Sequence, residues 1–218
     1  MVSQRDIAYA QIREMIFHME LLPGDRVPEL QIAARLNLSR TPIHDALRCL
    51  EAEGLVLISH NRGASVKQFS EEEIREIGAI RLAQDILSAE LASYYGSASD
   101  FEALMRLADA CEAAAQSGDI YGRIQLDMDF HTRIAAISGN ARLLEQQRQL
   151  YQQIHLIQIS KYTDISQSLI QINHHKPLVR AIQAGDLKRV RSLIYQHIKD
   201  FFRLDAFLLR CYDMEETT

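Results

Sequence analysis

The sequence predicts a mostly α-helical chain in two parts: three helices with a two-stranded β-hairpin, then an all-α antiparallel bundle of six to seven helices. Three observations predict it. Apolar residues recur at helical spacing along most of the 218 residues, and strand-like runs occur only at 55–59 and 64–67. The composition has only 9 Gly and 4 Pro, no Trp, and 47% apolar residues, enough for a packed core. The breaks between the later helical segments are short, which suits antiparallel neighbours.

Ile7, Ala10, Ile12, Met15 and Ile16 recur at helical spacing and predict a first helix over about residues 5–18. Leu22-Pro23-Gly24-Asp25 ends it with turn chemistry. Ile32, Ala33, Leu36 and Leu38 mark a short second helix, with Pro28 and Glu29 near its start. Asn37 follows, a small polar residue that tolerates a left-handed turn. Ser39 is the N-cap of a third helix, and Pro42 lies in its first turn, where a missing N–H costs little. That helix runs to about Glu53, and Gly54 ends it. Leu55–Ser59 and Ala64–Lys67 form a hairpin around His60-Asn61-Arg62-Gly63. Three helices followed by such a hairpin make a winged helix-turn-helix, which spans residues 1–69.

Ser70 with Glu73 three residues later is a capping box that opens the second domain, residues 70–214. Helices are expected over about 71–95, 99–116, 119–138, 140–162, 165–184 and 187–211. Breaks fall at Gly96-Ser97, Ser117-Gly118, Ser138-Gly139-Asn140, Thr163-Asp164 and Gly185-Asp186.

Composition excludes several classes. The start, Met1-Val2-Ser3-Gln4-Arg5-Asp6, has no apolar run of the secretory type, and no apolar stretch can span a bilayer. Cys49, Cys111 and Cys211 are odd in number and lack CxxC spacing, which fits free thiols in a reducing compartment. The expectation is a cytoplasmic protein without a membrane partner. Net charge is −5, yet residues 1–70 hold eight cations and eight anions. A neutral domain still binds DNA if its cations share one face.

The third helix carries such a face. Arg40 can reach guanine O6 and N7 or a phosphate. The Ser39 and Thr41 hydroxyls, with the helix N-terminal amides, can hold phosphate oxygens. His44 and, one turn on, Arg48 extend the face toward the backbone, and His60, Arg62 and Gly63 make a wing that can enter the minor groove. Solvated surface arginines are the alternative. The ordered set Leu22-Pro23-Gly24-Asp25-Arg26, Ser39-Arg40-Thr41-Pro42, Ala46-Leu47-Arg48-Cys49-Leu50-Glu51-Ala52-Glu53-Gly54-Leu55-Val56 and Arg62-Gly63-Ala64-Ser65-Val66 resembles the winged-helix domain of GntR-type transcriptional regulators. The family usually has Arg where this chain has His44, which implies an altered operator half-site or a contact there that weakens at higher pH.

A second constellation lies in the bundle. Asp127 and His131 stand at i, i+4 on one helix face, and His175 and His197 lie on later helices. A carboxylate and three imidazoles can hold Zn, Ni or Mn more readily than Ca, with an open position for solvent or an effector. Hydrogen-bonded core histidines are the alternative. Asp127-x3-His131 with Ile134 and Ser138-Gly139-Asn140 resembles the FCD effector domain of the FadR branch of GntR regulators. So do His175-x2-Leu178-x2-Ala181-Ile182-x2-Gly185-Asp186 and Val190-x2-Leu193-x3-His197. The resemblance implies a divalent metal, Zn foremost, on Asp127, His131, His175 and His197, and a small organic acid as effector. It also implies a homodimer on a palindromic double-stranded operator. Arg81 sits where the family commonly has an arginine and is a candidate effector clamp; its alternative is a surface salt bridge. Asn140 is a candidate effector contact or a helix cap. Pro177 interrupts the family pattern two residues after His175, so His174 is the substitute ligand if the register shifts. His155 and His18 match no ligand position.

The expected function is therefore operator binding controlled by a metal-dependent effector site, with no catalysis. The rivals are a metal-dependent hydrolase or lyase, which would need a general base or activated nucleophile not evident here, and a metal-free sensor of the same fold.

Overall fold

A computed structural model describes residues 2–60, 62–161 and 173–212, apart from the side chain of Leu209. The described residues divide into two compact units: those within 1–69 together with 152–161, and those within 70–151 together with 173–212.

In the first unit α1 (Gln4–Phe17) buries Ala8, Ile12 and Ile16, spaced by four, and the Ser3 hydroxyl caps its start by accepting from Asp6 N at 3.1 Å. Helix α2 (Glu29–Leu36) buries Ile32 and Ala33 and ends on Asn37, whose φ of 52° is left-handed as its small polar side chain allows. Helix α3 (Arg40–Ala52) buries Pro42, Ile43, Ala46, Leu47 and Leu50. Pro42 is the third helical residue, so no intrahelical bond is lost. Ser39 occupies the N-cap with extended backbone, but its side chain makes no capping bond.

Strands β1 (Val56–Ser59) and β2 (Gly63–Val66) pair antiparallel, Val56 opposite Val66 and Ser59 opposite Gly63. The expected turn residue Asn61 lies outside the described residues. A short third edge joins the wing: Val27 N donates to Ala64 O and Val66 N to Asp25 O, both at 2.9 Å. This explains the Pro23-Gly24-Asp25-Arg26 motif. Gly24, at φ 91°, turns the chain so that its N–H reaches Val66 O.

The end of α7 (Ala141–Lys161) belongs to this unit as well. His155 stacks on Phe17 with ring centroids 4.2 Å apart, Arg13 donates to Gln152, and Gln153 Nε2 donates to Glu53 O at 3.2 Å. Periodicity assigned this whole helix to the bundle.

The second unit is helical throughout its described residues. Capping boxes at Ser70/Glu73 and Ser97/Asp100 open α4 (Glu71–Tyr95) and α5 (Ala98–Ser117). Helix α6 (Ile120–Ile137) starts on Asp119, and α7 starts on Asn140. Helices α8 (His175–Ala184) and α9 (Leu187–Phe202) follow. Helix α5 packs on α6 and α8, and α4 packs on α6, α8 and α9. The expected break at Thr163-Asp164 and the start of the helix placed at 165 lie outside the described residues.

One expected helix is two. The segment 187–211 stops at Phe202, where Arg203 turns left-handed at φ 50°, and resumes as α10 (Phe207–Cys211). No glycine marks that cap, so local sequence chemistry did not announce it. No helix among the described residues is long and apolar enough to cross a membrane.

Candidate functional site

Helix α6 projects Asp127 and His131 from one inward face, α8 supplies His175 and α9 supplies His197. All four are buried, none more than 3% exposed. One ligand-capable atom of each lies within 4.8 Å of all the others. Around Asp127 Oδ1, the Nε2 atoms of His175, His197 and His131 stand at 3.1, 3.6 and 3.8 Å. His131 Nε2 and His197 Nε2 face each other at 3.1 Å.

Pro177 does not disturb this geometry. Helix α8 begins at His175, so the proline is in the first turn, and Leu178 N still donates to His174 O at 2.9 Å. His174 becomes the half-buried N-cap and His175 is the residue aimed inward. Phe130 stacks on the His175 ring at 4.3 Å and holds its orientation.

Protonation states follow from burial. Burial pushes the His131 imidazole well down, and the nearby Arg81 charge adds to it. Burial likewise lowers His197. Burial alone would raise Asp127, but His175, His197, His131 and Arg81 outweigh it and hold the carboxyl well below its usual range. An anionic carboxylate thus stands beside the neutral imidazoles of His131 and His197. His131 Nδ1 lies 3.4 Å from Asp85 Oδ2, which favours the Nδ1–H tautomer and leaves the Nε2 lone pair directed at the cluster.

This donor set fits a divalent transition ion. Metal–nitrogen bonds of about 2.1 Å place neighbouring ligand atoms about 3.0–3.4 Å apart in octahedral or tetrahedral geometry. The 3.1–3.8 Å separations here lie close to that range. His175 Nδ1 has no hydrogen-bond partner among the described residues, while its Nε2 faces the Asp127 carboxylate at 3.1 Å, so the ring is held toward the cluster from one side only.

A buried polar shell supports the four. Asp85 accepts from Tyr151 Oη at 2.9 and 3.0 Å, from Arg81 Nε at 3.2 Å and from Gln147 Nε2. Ser88 Oγ donates to Gln147 Oε1 at 2.7 Å. Arg81 Nη2 lies 3.4 Å from His197 Nε2 and 3.7 Å from Asp127 Oδ2. Arg81 does form a salt bridge, the alternative reading for it, but with Asp85 in the interior rather than at the surface: the side chain is 1% exposed. Asp85, Ser88, Gln147 and Tyr151 did not come from the sequence reading. The available signal was polar residues at core-facing positions of α4, where Ile77, Arg81, Asp85, Ser88 and Ala92 share a buried stripe.

Asn140 stands apart from this shell. It is exposed and caps α7, its Oδ1 accepting from Leu143 N at 3.1 Å. His155 is buried against Phe17 in the first unit, and His18 is an exposed C-cap 3.1 Å from Glu14.

In the first unit the residues expected to read DNA are all exposed: Ser39, Arg40, Thr41, His44 and Arg48 along α3, and His60, Arg62 and Gly63 at the wing. The buried residues of α3 occupy the opposite side of the helix. Arg40 and Arg48 make no ion pair among the described residues. Arg26 Nε donates to Arg62 O at 2.7 Å and so buttresses the wing turn.

Comparison with known proteins agrees with both halves. Residues 4–66 match the family described as bacterial regulatory proteins, gntR family, and residues 76–200 match the FCD domain. An uncharacterized HTH-type transcriptional regulator of Bacillus subtilis, YdhC, is 26% identical over 91% of this chain and 87% of its own. The "Probable D-xylose utilization operon transcriptional repressor" of Paenarthrobacter nicotinovorans is 28% identical over 93% and 90%. The fold is that of E. coli McbR/YncC, with a TM-score of 0.80 at 21% identity, covering 97% of this chain and all of that one. These relatives are regulators of transcription rather than enzymes. With a gntR-type winged helix on its N-terminal side and an FCD domain over more than half its length, the chain belongs to the GntR-type DNA-binding transcriptional regulators with an FCD domain.

Proposed function

We propose that the chain acts in the cytoplasm as a homodimer on a palindromic double-stranded operator, and that a small organic acid bound at a divalent-metal site sets its operator affinity. The observation that carries this reading is the convergence of Asp127, His131, His175 and His197 within 4.8 Å in the core of the second unit. These four would hold the ion, Zn before Ni or Mn by ligand type. When bound, it would supply an electrophilic anchor for a carboxylate oxygen. Arg81 supplies the fixed positive charge beside the ligands that an organic anion requires. Asp85 orients His131 and is itself held by Tyr151 and Gln147.

On the DNA side, Arg40 reads guanine or grips phosphate, Ser39 and Thr41 hold phosphate oxygens, Arg48 meets the backbone, and His60, Arg62 and Gly63 of the wing enter the minor groove. The exposure of all these residues supports the assignment. His44 takes a place on the reading face where the family's arginine would make a longer, permanently charged contact, so a different half-site is expected.

Regulation then requires only that the effector prefer one conformation over another. Within the second unit Gln147 and Tyr151 hold Asp85, and within the first residues 152–161 pack with α1 and the end of α3.

The test uses untagged protein and an operator selected from random duplexes. Elemental analysis should find one transition ion per chain, and fluorescence anisotropy should show operator affinity responding to small carboxylates only in the metal-loaded form. Stoichiometric absence of metal, or an effector response that survives chelation, would refute the metal-dependent reading.

A further inference from the structure

Asp127, His131, His175 and His197 are at most 3% exposed, so an ion from solution needs a path to them through the surrounding protein. Their neighbours close the cluster on several sides. Phe130 stacks on His175 at 4.3 Å and Tyr151 on His131 at 5.5 Å, and both rings are buried. On the α4 side stands the buried Arg81 guanidinium, with Nη2 3.4 Å from His197 Nε2 and 3.7 Å from Asp127 Oδ2. A permanent positive charge in that position repels an incoming cation.

His174 differs from these neighbours. It is partly exposed at the N-cap of α8, and its side chain makes no capping bond to the helix. Its ring stands edge-on to the buried His197 ring, with centroids 6.2 Å apart and planes at 75°. The His197 ring lies in turn 5.0 Å from His131 and 4.8 Å from His175. The imidazoles therefore run in a row from the surface inward: His174, His197, then His131 and His175 beside Asp127. His174 is not one of the four converging groups, so the resting site does not need it.

We infer that His174 is the entry ligand of the metal site: it takes a hydrated divalent transition ion at the surface and passes it to His197. The inference rests on the metal reading above. Each step exchanges one ligand for another, with no electron moved and the charge of the ion unchanged. The His174 imidazole replaces one water of the ion and His197 replaces a second. His174 then lets go as Asp127, His131 and His175 take their places. A residue that acts only on the way in changes loading and unloading by one common factor and leaves the equilibrium untouched. Loss of a resting ligand or of its support lowers affinity instead.

Stopped-flow mixing of the untagged, chelator-stripped chain with Zn and a fluorescent Zn indicator measures loading, and equilibrium competition with the same indicator measures affinity. His174→Asn keeps a side chain suited to an N-cap but offers no imidazole. It should load Zn about tenfold more slowly, the factor that about 1.4 kcal/mol at the barrier gives, with affinity unchanged. His174→Asp restores a metal-binding side chain and should recover most of the rate. Loading of His174→Asn at the parental rate overturns the inference and leaves the metal reading standing. A fall in its affinity overturns it too, since His174 would then belong to the resting site. So does a His174→Asp chain as slow as His174→Asn, because the loss would not be one of coordination. A parent that binds no Zn removes the metal reading and this inference with it.

Discussion

Replacing two ligands, in His131→Ala/His197→Ala, should abolish most of the stabilisation that a transition ion gives this chain. The magnitude follows from mass action and the geometry of the cluster. An ion that binds only the folded state, at a free concentration one hundred times its Kd, stabilises by about 2.7 kcal/mol. For a chain of this length that is a rise in Tm of about 5–11 °C. His131 and His197 contribute two of the four converging atoms, Nε2 to Nε2 at 3.1 Å. Losing orienting partners alone typically costs 10–100-fold in metal affinity, so losing two direct ligands should cost at least about 100-fold. At the same ion concentration the variant then gains only about 0.4 kcal/mol, a shift of about 1–2 °C. The apo comparison matters because both imidazoles are buried, and truncating them leaves cavities that lower stability whether or not metal binds. The assay is therefore differential scanning calorimetry of each protein with EDTA and with added Zn, Ni or Mn, read as the metal-induced shift within each protein. A double variant whose shift equals the parent's would defeat the assignment, as would a parent with no shift for any of the three ions.

Three further outcomes follow from the same geometry. Arg40→Ala should weaken operator binding roughly 5- to 100-fold at fixed salt, measured by anisotropy, with the metal-induced Tm shift unchanged; equal affinity would remove Arg40 from the reading face. Tyr151→Phe deletes the buried hydroxyl's one donated hydrogen bond, shared between the two oxygens of Asp85 at 2.9 and 3.0 Å, and should cost about 1.5–3 kcal/mol in urea unfolding of the chelated protein; a cost below about 0.5 kcal/mol would mean that Asp85 does not rely on it. In the chelated protein, His131 and His197 have folded pKa values below their unfolded ones, burial being the main cause. The unfolded chain then binds protons first, so their contribution is complete above about pH 6.5 and is lost as the pH falls below it. Stability by urea titration should decline from pH 7 to pH 5, and less steeply in His131→Ala/His197→Ala; identical slopes would show that these histidines do not titrate on unfolding.

Much of this was readable in the chain itself, because the relevant physics is local. Asn37 left-handed, Pro42 in a first turn, Ser70 with Glu73 in a capping box and Asp127 four residues before His131 are consequences of backbone chemistry and helical period. They sufficed to set out the three-helix reader, its wing and the ligand candidates. Pro177 shows where local rules ran out: it left open whether His175 or His174 faces inward, and the outcome turned on where α8 begins, which puts the proline in the first turn. Arg203 shows the same limit, since it takes a left-handed cap without being Gly or Asn, which residue propensity does not foresee.

By itself, then, the sequence marked out the three N-terminal helices and their hairpin, a third helix with Ser39, Arg40, Thr41, His44 and Arg48 along one side, and a carboxylate and three imidazoles on three bundle helices. Only the tertiary structure decided that those four meet in one buried cluster, that Arg81 is interior, and that Asp85, Gln147 and Tyr151 support it. It also decided that residues 152–161 join the first unit's core instead of the bundle's. The physical reason is that periodicity says which face of a helix is buried but never against what. The partner across a core is chosen by packing between segments far apart in the chain, and that choice brought the side chains of α4, α6, α7, α8 and α9 together.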